Sequence, residues 1–306
     1  MKLSIIIPNY NSTSLLKTID SIYSSTGINK HDYEIILVDD GSTDGLYDKA
    51  KKRFPLIKIF RHEMKKGASS TRNKGIEESK GEVLFFIDSD MWLNKTTIVS
   101  MLKKIRDYDI LFQKIIYENG NAMYPILEIE KQYPHISGCF VIKKKSLEIL
   151  DENFDEFYMT YLEDYDFFIR CKLAGLKALY VEEARVIHEN KQPKDYSERY
   201  YLEARNLIYG YKKLGKLAEK SGLYNPFTKK TILKVFFYGL MNFAWFNWQG
   251  YDRKTKNIPR QQNKIFLKNR FSFIKIFLSA VSDISKNKKI IKEKRKSIRK
   301  FYNKPE

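Results

Sequence analysis

Two carboxylates stand two residues apart in Asp88-Ser89-Asp90, directly after the apolar run Val83–Ile87. If that run is a strand that breaks into a loop at Asp88, both carboxylates can reach one divalent ion. Oxygen ligands suit Mg²⁺ or Mn²⁺, which keep several waters and bind diphosphate oxygens. The pair therefore indicates a site for a metal-bound diphosphate, whereas two such acids away from a strand end would indicate only a surface turn.

Polar residues also follow two earlier apolar runs. Pro8–Asn11 comes after Leu3–Ile7, and Asp39–Ser42 comes after Glu34–Val38. Because parallel sheets bind ligands beyond the carboxyl ends of their strands, we expect these segments and the Asp88 pair to line one crevice. Acids at that density need a cation or hydrogen-bond donors nearby. The alternative is that the second segment supplies only turn and helix-capping residues.

The elements that must position these acids alternate between strands and helices. In the first part of the chain, apolar runs predict four strands separated by helices: Leu3–Ile7, Glu34–Val38, Leu56–Phe60 and Glu82–Ile87. Further strands are predicted at Ile110–Phe112, Ile115–Tyr117, Gly138–Ile142, Leu179–Val181 and Val186–His188. Helices are predicted over Ser69–Ser79, from Ser146, and over Tyr161–Gly175 and Tyr196–Gly215. Strands that are apolar on both faces and joined by helices form parallel sheets with right-handed crossovers. The predicted fold class is α/β, a mixed, mainly parallel sheet with flanking helices, followed by a basic helical C-terminal extension.

Six segments form a longer pattern: SIIIPNYN at 4–11, VDDGSTD at 38–44, TRNKGI at 71–76 after Gly67, IDSD at 87–90, LEDYD at 162–166 and LYVEEARVIH at 179–188. Together they resemble glycosyltransferase family 2, nucleotide-sugar-dependent enzymes with the Rossmann-like GT-A fold. The resemblance covers residues 1–210. The loop His62–Gly67 and Thr71 depart from the usual residues of the family, which leaves base contacts in that loop open. A Gln-x-x-Arg-Trp motif of processive members is absent, which favours addition of one sugar at a time.

The resemblance implies a nucleotide-sugar site at the strand ends. The positions that match nucleotide-sugar contacts are Pro8, Tyr10, Asp39, Asp40, Gly67, Arg72, Asp88 and Ser89. Asp40, together with Asp39, matches the position that hydrogen-bonds the base, and a carboxylate there can accept from an imide N–H, which favours uracil or thymine. Arg72 could instead be a surface helix residue.

The resemblance also implies the catalytic and metal-binding residues. Asp90 matches a metal ligand, with Asp88 and His188 as further candidate ligands of Mn²⁺ or Mg²⁺. Glu163 and Asp164 match the acidic pair that supplies the catalytic base, for which we select Asp164. As alternatives, the acidic pair could cap a helix, and a backbone carbonyl could satisfy His188.

The predicted reaction is one inverting displacement. A positioned carboxylate takes the proton of the acceptor hydroxyl, and a divalent ion neutralises the departing nucleoside diphosphate. We expect a UDP- or dTDP-type donor and an acceptor hydroxyl on a growing cell-surface glycan or lipid-linked glycan. Two other functions stay open, a nucleotidyltransferase of similar fold and a catalytically silent nucleotide-sugar-binding scaffold. The first would need a Gly-rich basic loop after strand one, and the intact set of acids argues against the second.

The net charge of +19 lies almost entirely at the C-terminal end. Residues 212–306 contain 25 Lys and Arg against 5 Asp and Glu, whereas residues 1–211 contain 31 against 32. Basic residues accompany the aromatic stretch Val235–Phe246 and the helical pattern Phe271–Val281, a combination typical of helices on anionic membrane surfaces. The alternative is a packed helical appendage with a solvated basic face. Without a recognition motif, we expect no specific nucleic-acid partner.

These patterns predict two domains. Residues 1–215 would be the catalytic domain, with a nucleotide half at 1–107 and an acceptor half at 108–215, and residues 216–306 the basic aromatic extension. Cys139 and Cys171 are expected to be buried thiols in a reducing compartment. No apolar run has the roughly 18 residues of a spanning helix, and residues 1–8 are too short for a signal-peptide core. We therefore expect a cytoplasmic protein held at the inner face of the cell membrane.

Overall fold

The described part of the chain forms two compact units. A computed structural model describes residues 2–124, 137–189, 196–241 and 270–302. The first unit is Met1–Lys191 and the second is Gln192–Glu306. A sheet with flanking helices makes up the first unit, and the described residues of the second unit are helical.

Four parallel strands form one side of the sheet, as their apolar runs predicted. The strands are β1 (Leu3–Asn9), β2 (Tyr33–Asp39), β3 (Lys58–Arg61) and β4 (Val83–Ile87), joined through α1 (Leu15–Tyr23), α2 (Leu46–Arg53) and α3 (Ala68–Glu78). Their order in the sheet is β3-β2-β1-β4, and all three neighbouring pairs are parallel. Every residue of β1 and β4 is buried, because helices cover both faces of such a sheet.

The other side of the sheet is mixed. It contains β5 (Met91–Leu93), β6 (Ile110–Tyr117), β7 (Ala122–Tyr124), β8 (Cys139–Lys143) and β9 (Ala178–His188), with α4 (Thr97–Lys104) and α5 (Glu163–Leu173). The sheet continues from β4 in the order β8-β6-β9-β5, and β7 pairs with β6. β8 is antiparallel to β4, whereas β6 and β9 are parallel. This mixed α/β sheet confirms the predicted fold class.

Three details differ from the sequence prediction. The two short strands predicted within 110–117 are one strand, β6, and the two predicted within 179–188 are one strand, β9. The two strands stay paired on both sides of a register shift between Gln113 and Lys114, so the polar residues there do not end either strand. The helix predicted from Ser146 is a short 3₁₀ turn, Lys144–Leu147, in which the Ser146 hydroxyl donates to Asp109. β3 begins two residues later than predicted.

Two apolar layers hold the sheet. On one face, α1 packs Leu15, Ile19 and Ile22 against the β1 side chains. On the other face, aromatic rings stack between the sheet and α5: the ring centroids lie 4.6 Å apart for Phe86–Phe140 and 4.2 Å apart for Phe154–Phe167. Burial of each such ring contributes about 1.5–3 kcal/mol, so this layer fixes α5 firmly on the sheet. Cys139 and Cys171 are both buried thiols, as predicted.

The second unit is built around one helix. Its described helices are α6 (Tyr196–Lys213), α7 (Leu217–Lys220), α8 (Lys229–Met241), α9 (Arg270–Lys286) and α10 (Lys288–Tyr302). α6 confirms the helix predicted over 196–215, and it packs against α8, α9 and α10. The compact unit therefore includes α6, which the predicted boundary at 215 assigns to the catalytic domain. Because a compact unit is a geometric division, the functional division at 215 stays a prediction.

The aromatic C-terminal stretch is described only in part. Residues 242–246 of this stretch, with Trp245, lie outside the described residues, as does Trp248. Among the residues that are described, no helix is long and apolar enough to cross a membrane.

Candidate active site

The carboxyl ends of β1, β2 and β4 are joined by side-chain hydrogen bonds. The Asn9 amide donates to Asp39 Oδ1 at 2.7 Å, which connects β1 to β2. Two hydroxyl groups, Ser12 Oγ and Thr18 Oγ1, donate to the Ser89 carbonyl at 2.8 and 2.9 Å, which connects β1 and α1 to the end of β4. The predicted polar segments therefore meet at one edge of the sheet, and Ser89 contributes its backbone to that junction.

Asp39 holds the loop that follows β2. Its carboxylate is fully buried, and it accepts from the Ser42 N–H at 3.1 Å and lies 3.4 Å from Arg61 Nε in addition to its bond from Asn9. Protein groups therefore surround both of its oxygens. A direct contact between Asp39 and a nucleotide base stays a prediction.

Asp40 organises the neighbouring loop, His62–Gly67. Its Oδ1 accepts from His62 Nδ1 and from the Lys66 N–H, both at 2.8 Å, and its Oδ2 accepts from the Gly67 N–H at 2.8 Å. Three donors from one loop thus converge on one buried carboxylate. Asp40 therefore holds the conformation of this loop, and His62 is a partner of Asp40 that the sequence pattern did not indicate.

Tyr10 is the exposed aromatic ring at the end of β1. Its side chain is 45% exposed, and Lys65 Nζ lies 4.7 Å from the ring centroid. An exposed ring at a strand end offers a face on which a planar base can stack. Pro8, predicted to line the same base, is buried within β1 opposite Val38.

Arg72 lies between two acids of the site. It is 3% exposed, its Nη2 lies 3.0 Å from Asp88 Oδ1, and its Nη1 lies 2.8 Å from Glu163 Oε1. Burial lowers the pKa of Arg72, but Asp88, Glu163 and Asp164 outweigh this effect and raise it above the ordinary value. Arg72 is therefore not a surface residue. It is the cation that allows three carboxylates to gather at the strand ends.

The Asp88 and Glu163 carboxylates differ in their exposure to a ligand. Burial raises the pKa of Asp88 to about 7, against the opposing effect of Arg72 and with a further rise from Asp90, while 32% of the side chain stays exposed. Glu163 is almost fully buried. Within the described residues, Glu163 Oε2 and Arg72 Nε have no hydrogen-bond partner. Buried polar atoms of this kind are expected where a ligand completes the hydrogen bonding.

Asp164 lies beside this cluster in the first turn of α5. It is half-buried, and its Oδ1 accepts from the Tyr165 N–H at 2.9 Å. Burial and the neighbouring Glu163 raise the pKa of Asp164 well above its ordinary value, although Arg72 opposes the rise. A carboxylate with a raised pKa is a stronger base, so these surroundings suit proton abstraction. Glu163 pairs with Arg72 and Leu162 is the N-cap residue, so Glu163 does not cap α5.

A strained turn sets the position of both acids of α5. Met159, Tyr161 and Leu162 all have positive φ angles, of 60°, 69° and 67°, directly before Glu163. Such angles are costly outside glycine and persist only where the surroundings enforce them. Here the Ser69 N–H donates to the Met159 carbonyl at 3.0 Å, and the Ala68 N–H donates to Thr160 Oγ1 at 3.2 Å. The start of α3 therefore fixes the turn that places Asp164.

Gly67 makes this contact possible. Its φ is +95°, and a Cβ atom at this position would lie 2.6 Å from the Met159 carbonyl oxygen. No other residue type fits this approach without a backbone shift. The Asp40 loop and the strained turn thus touch at one glycine.

Asp90 and His188 form a carboxylate–imidazole pair at the end of β9. β5 and β9 pair so that Met91 lies opposite His188, and this brings His188 Nε2 to 3.7 Å from Asp90 Oδ2. Asp90 is 37% exposed, and His188 Nδ1 is buried without a partner among the described residues. Asp90 offers an oxygen ligand of the kind that Mn²⁺ or Mg²⁺ prefers, such ions take most of their other ligands from phosphates and water, and His188 would add a nitrogen ligand. No group of three or more acid, His or Cys side chains that could hold a metal occurs in the part of the chain that the structure describes.

Comparisons with known proteins find similar glycosyltransferases. Residues 4–149 match the family described as "Glycosyl transferase family 2". The poly(ribitol-phosphate) beta-glucosyltransferase of Bacillus spizizenii is 35% identical over 130 residues, which are 40% of this chain and 20% of that protein. The poly(ribitol-phosphate) beta-N-acetylglucosaminyltransferase TarS of Staphylococcus aureus is 30% identical over 129 residues, which are 40% of this chain and 22% of TarS. The match thus spans about a fifth of the length of these relatives.

A solved structure shares the fold over almost the whole chain. The crystal structure of S. aureus TarS 1–349 has a TM-score of 0.58 at 21% identity and covers 99% of this chain and 89% of that one. At this identity the likeness shows the fold. Residues 4–149 therefore belong to glycosyltransferase family 2, and the sheet of the first unit has the GT-A fold.

Proposed function

We propose that the chain is an inverting glycosyltransferase that moves one sugar from a UDP- or dTDP-type donor to a polymer hydroxyl. One observation carries the proposal: at the strand ends of a family 2 fold, Arg72 pairs with Asp88 and Glu163 beside Asp164, whose pKa is raised. This arrangement combines a cation for negatively charged groups with a carboxylate base.

The donor assignment has support from the site and from a relative. An exposed aromatic ring, Tyr10, and the loop held by Asp40 lie on the nucleotide side. Crystal structures of S. aureus TarS 1–349 contain UDP and UDP-GlcNAc. A uridine diphosphate sugar is therefore the first donor to test, with a dTDP-sugar second.

The acceptor assignment is supported by the relatives. Two relatives at 30–35% identity are named as transferring glucose or N-acetylglucosamine to poly(ribitol-phosphate). We take a hydroxyl of a polyol-phosphate polymer as the acceptor, one member of the broader class of surface and lipid-linked glycans. Addition of single sugars to repeating units needs no processive polymer channel.

The chemistry is one displacement at the anomeric carbon. Asp164 accepts the proton of the acceptor hydroxyl, whose oxygen forms a bond to the anomeric carbon as the bond to the diphosphate oxygen breaks. The nucleoside diphosphate leaves with the electron pair, and attack from the opposite face inverts the configuration. Asp88, anchored by Arg72, contacts the donor sugar. Asp90 and His188 would hold a Mn²⁺ or Mg²⁺ ion, which when bound neutralises charge on the leaving diphosphate.

The raised pKa of Asp164 predicts the acid limb of the pH profile. The base works only when deprotonated, so kcat/KM falls as the pH drops through its pKa. Because burial and Glu163 raise that pKa, activity should disappear at a higher pH than an ordinary aspartate would allow. A profile of kcat/KM that stays flat down to the ordinary aspartate range would contradict this assignment.

The extension is proposed to associate with an anionic membrane surface. The support is the charge of residues 212–306 and the exposed apolar side chains Leu278 and Val281 on α9, near Lys275. Sedimentation with vesicles of phosphatidylglycerol and of phosphatidylcholine tests it. Binding to the anionic vesicles alone supports the proposal, and binding to neither contradicts it.

Thermal unfolding with a panel of nucleotide sugars tests the catalytic proposal. UDP-GlcNAc, UDP-glucose, dTDP-glucose and GDP-mannose are added with Mn²⁺ or with a chelator. A ligand at a hundred times its Kd stabilises the folded state by about 2.7 kcal/mol, which is readily measured as a rise in Tm. We expect a uridine or thymidine sugar to raise Tm, more strongly with Mn²⁺. No shift with either class would contradict the proposed donor.

A further inference from the structure

A line of basic side chains runs along α10 in the second unit. Lys289, Lys292, Lys296 and Arg299 are separated by three, four and three residues, so they lie along one side of the helix. All four are exposed. This α10 stripe extends over about 15 Å of helix axis.

The orientation of α10 is fixed by its opposite side. Ile291 and Ile298 are buried, and the helix packs against α6 within the second unit. The helix is therefore held with the α10 stripe facing solvent. Its apolar edge is already used inside the unit, with Ile290 as a lone half-exposed apolar residue.

The charge of the α10 stripe is not compensated by the protein. In the described ranges, no carboxylate pairs with Lys289, Lys292, Lys296 or Arg299, and Glu293 is the one acid of α10 against eight Lys and Arg. Like charges three or four residues apart on a helix repel one another and destabilise it. An external anion that contacts several of these groups at once would remove that repulsion.

The shape of the α10 stripe favours a linear anion. A single small phosphate would contact one or two of the four side chains, whereas a chain of phosphodiesters can contact all of them. Interfacial insertion into a membrane needs a free apolar side, and α10 has buried its own. Charge and geometry therefore match an extended polyphosphodiester better than they match a lipid surface.

We propose that the α10 stripe binds the phosphodiester backbone of the acceptor polymer. This inference rests on the proposed function, because it takes a polyol-phosphate polymer as the acceptor. Binding at the stripe keeps acceptor hydroxyls at high local concentration around the enzyme. Each phosphate contact also releases counterions, so the binding must weaken as salt increases.

Charge-removing variants of the full chain test the proposal. The stripe variant is K289Q/K292Q/K296Q. The matched control is K49Q/K51Q/K52Q, which removes the same charge from exposed lysines of α2. The probes are a synthetic ribitol-phosphate oligomer, a single-stranded DNA of similar charge and phosphatidylglycerol vesicles, each titrated at several salt concentrations.

We expect the stripe variant to lose at least about tenfold in affinity for the ribitol-phosphate oligomer at low salt, with a shallower salt dependence, while the control keeps the wild-type affinity. Vesicle binding should weaken much less than oligomer binding in the stripe variant, because the variant removes only three of the 25 basic residues of 212–306. Unchanged oligomer affinity, or equal losses in both variants, would overturn the proposal. If the stripe variant loses as much vesicle binding as oligomer binding, or if wild type binds DNA as tightly as the oligomer, the stripe is a general anion surface. Either result would also overturn the proposal.

Transfer assays separate this inference from the proposed function. If wild type transfers sugar to the oligomer and the stripe variant shows a raised acceptor KM with unchanged kcat, both hold. If wild type transfers sugar and the variant has the same acceptor KM, the inference fails and the proposed function stands. If wild type transfers no sugar to any acceptor, the proposed function fails, and with it the inference.

Discussion

The two units of the chain use charge in opposite ways. In the first unit, Arg72, Asp88 and Glu163 are gathered in the interior, and each charge is set against another. In the second unit, the charges of the α10 stripe face solvent, and α10 contains one acid among its eight Lys and Arg. Buried charges are expensive unless they are paired, whereas exposed charges cost little by themselves. In our proposals, the first pattern serves a small charged donor, and the second serves a large anion.

The largest stability effect is expected where a buried pair is broken. Arg72→Ala leaves Asp88, Glu163 and Asp164 without their cation, so the free energy of unfolding should fall by about 3–5 kcal/mol. Denaturant unfolding of the purified variant measures it. Arg53→Ala is the control, because Arg53 pairs with Asp20 at 2.8 Å on the surface and should cost no more than about 1 kcal/mol. Equal losses in the two variants would contradict the difference between buried and exposed charge.

A smaller effect is expected at the buried acid of the second unit. Glu203 Oε1 accepts from Arg199 at 2.9 Å, while Oε2 has no partner in the described residues, and burial raises the pKa of Glu203 to about 7. A raised carboxyl pKa means that stability is greatest below the unfolded pKa and is lost as the pH rises through the folded one. Glu203→Gln should therefore stabilise the protein near pH 8, by at most about 3 kcal/mol, and change little near pH 4.

Denaturant unfolding at both pH values checks this prediction. The Arg199 hydrogen bond can still form to the glutamine carbonyl, so the variant removes the titration and keeps the contact. A variant that changes stability equally at both pH values would show that Glu203 does not titrate near neutral pH.

The smallest stability effect concerns the glycine between the loop and the turn. Gly67→Ala places a Cβ atom against the Met159 carbonyl at a φ of +95° and should cost about 1–3 kcal/mol. Gly45→Ala is the control: Gly45 has open space around it, and its φ of +72° and ψ of 5° lie in the left-handed helical region, which costs an alanine about 1 kcal/mol, whereas the ψ of 169° at Gly67 is almost exclusive to glycine. If the two variants lose the same stability, neither the contact with Met159 nor the backbone conformation of Gly67 adds a cost.

The strands that the sequence predicts well are those with one simple pattern. β1, β2 and β4 are apolar on both faces and stand between helices, so their runs are readable without tertiary information. β5 has three residues, and α4 was not predicted, because neither element has a long periodic run. β6 and β9 looked like four short strands because their polar residues at the register shift interrupt the apolar run.

For the site, the motif residues could be identified from the sequence, whereas the residues that position them could not. The motif residues Arg72, Asp88, Glu163 and Asp164 lie together in the structure, while their roles stay a prediction. The groups that hold them are joined across long stretches of sequence: Ser12 bonds to the Ser89 carbonyl, and Thr160 to the Ala68 N–H. Short polar side chains of this kind have no distinctive spacing, and the strained turn at 159–162 contains no glycine to mark it.

In the proposed mechanism, Asp164 abstracts the proton of the acceptor hydroxyl, and other residues of the site bind the donor. Asp164→Asn keeps the size of the side chain and removes the base, so kcat should fall by about 10²–10⁴. Measurement of kcat and of the donor Kd in the same preparation separates loss of the base from loss of donor binding. We expect the fall in kcat together with a donor Kd close to that of wild type. A variant that turns over at the wild-type rate would contradict it.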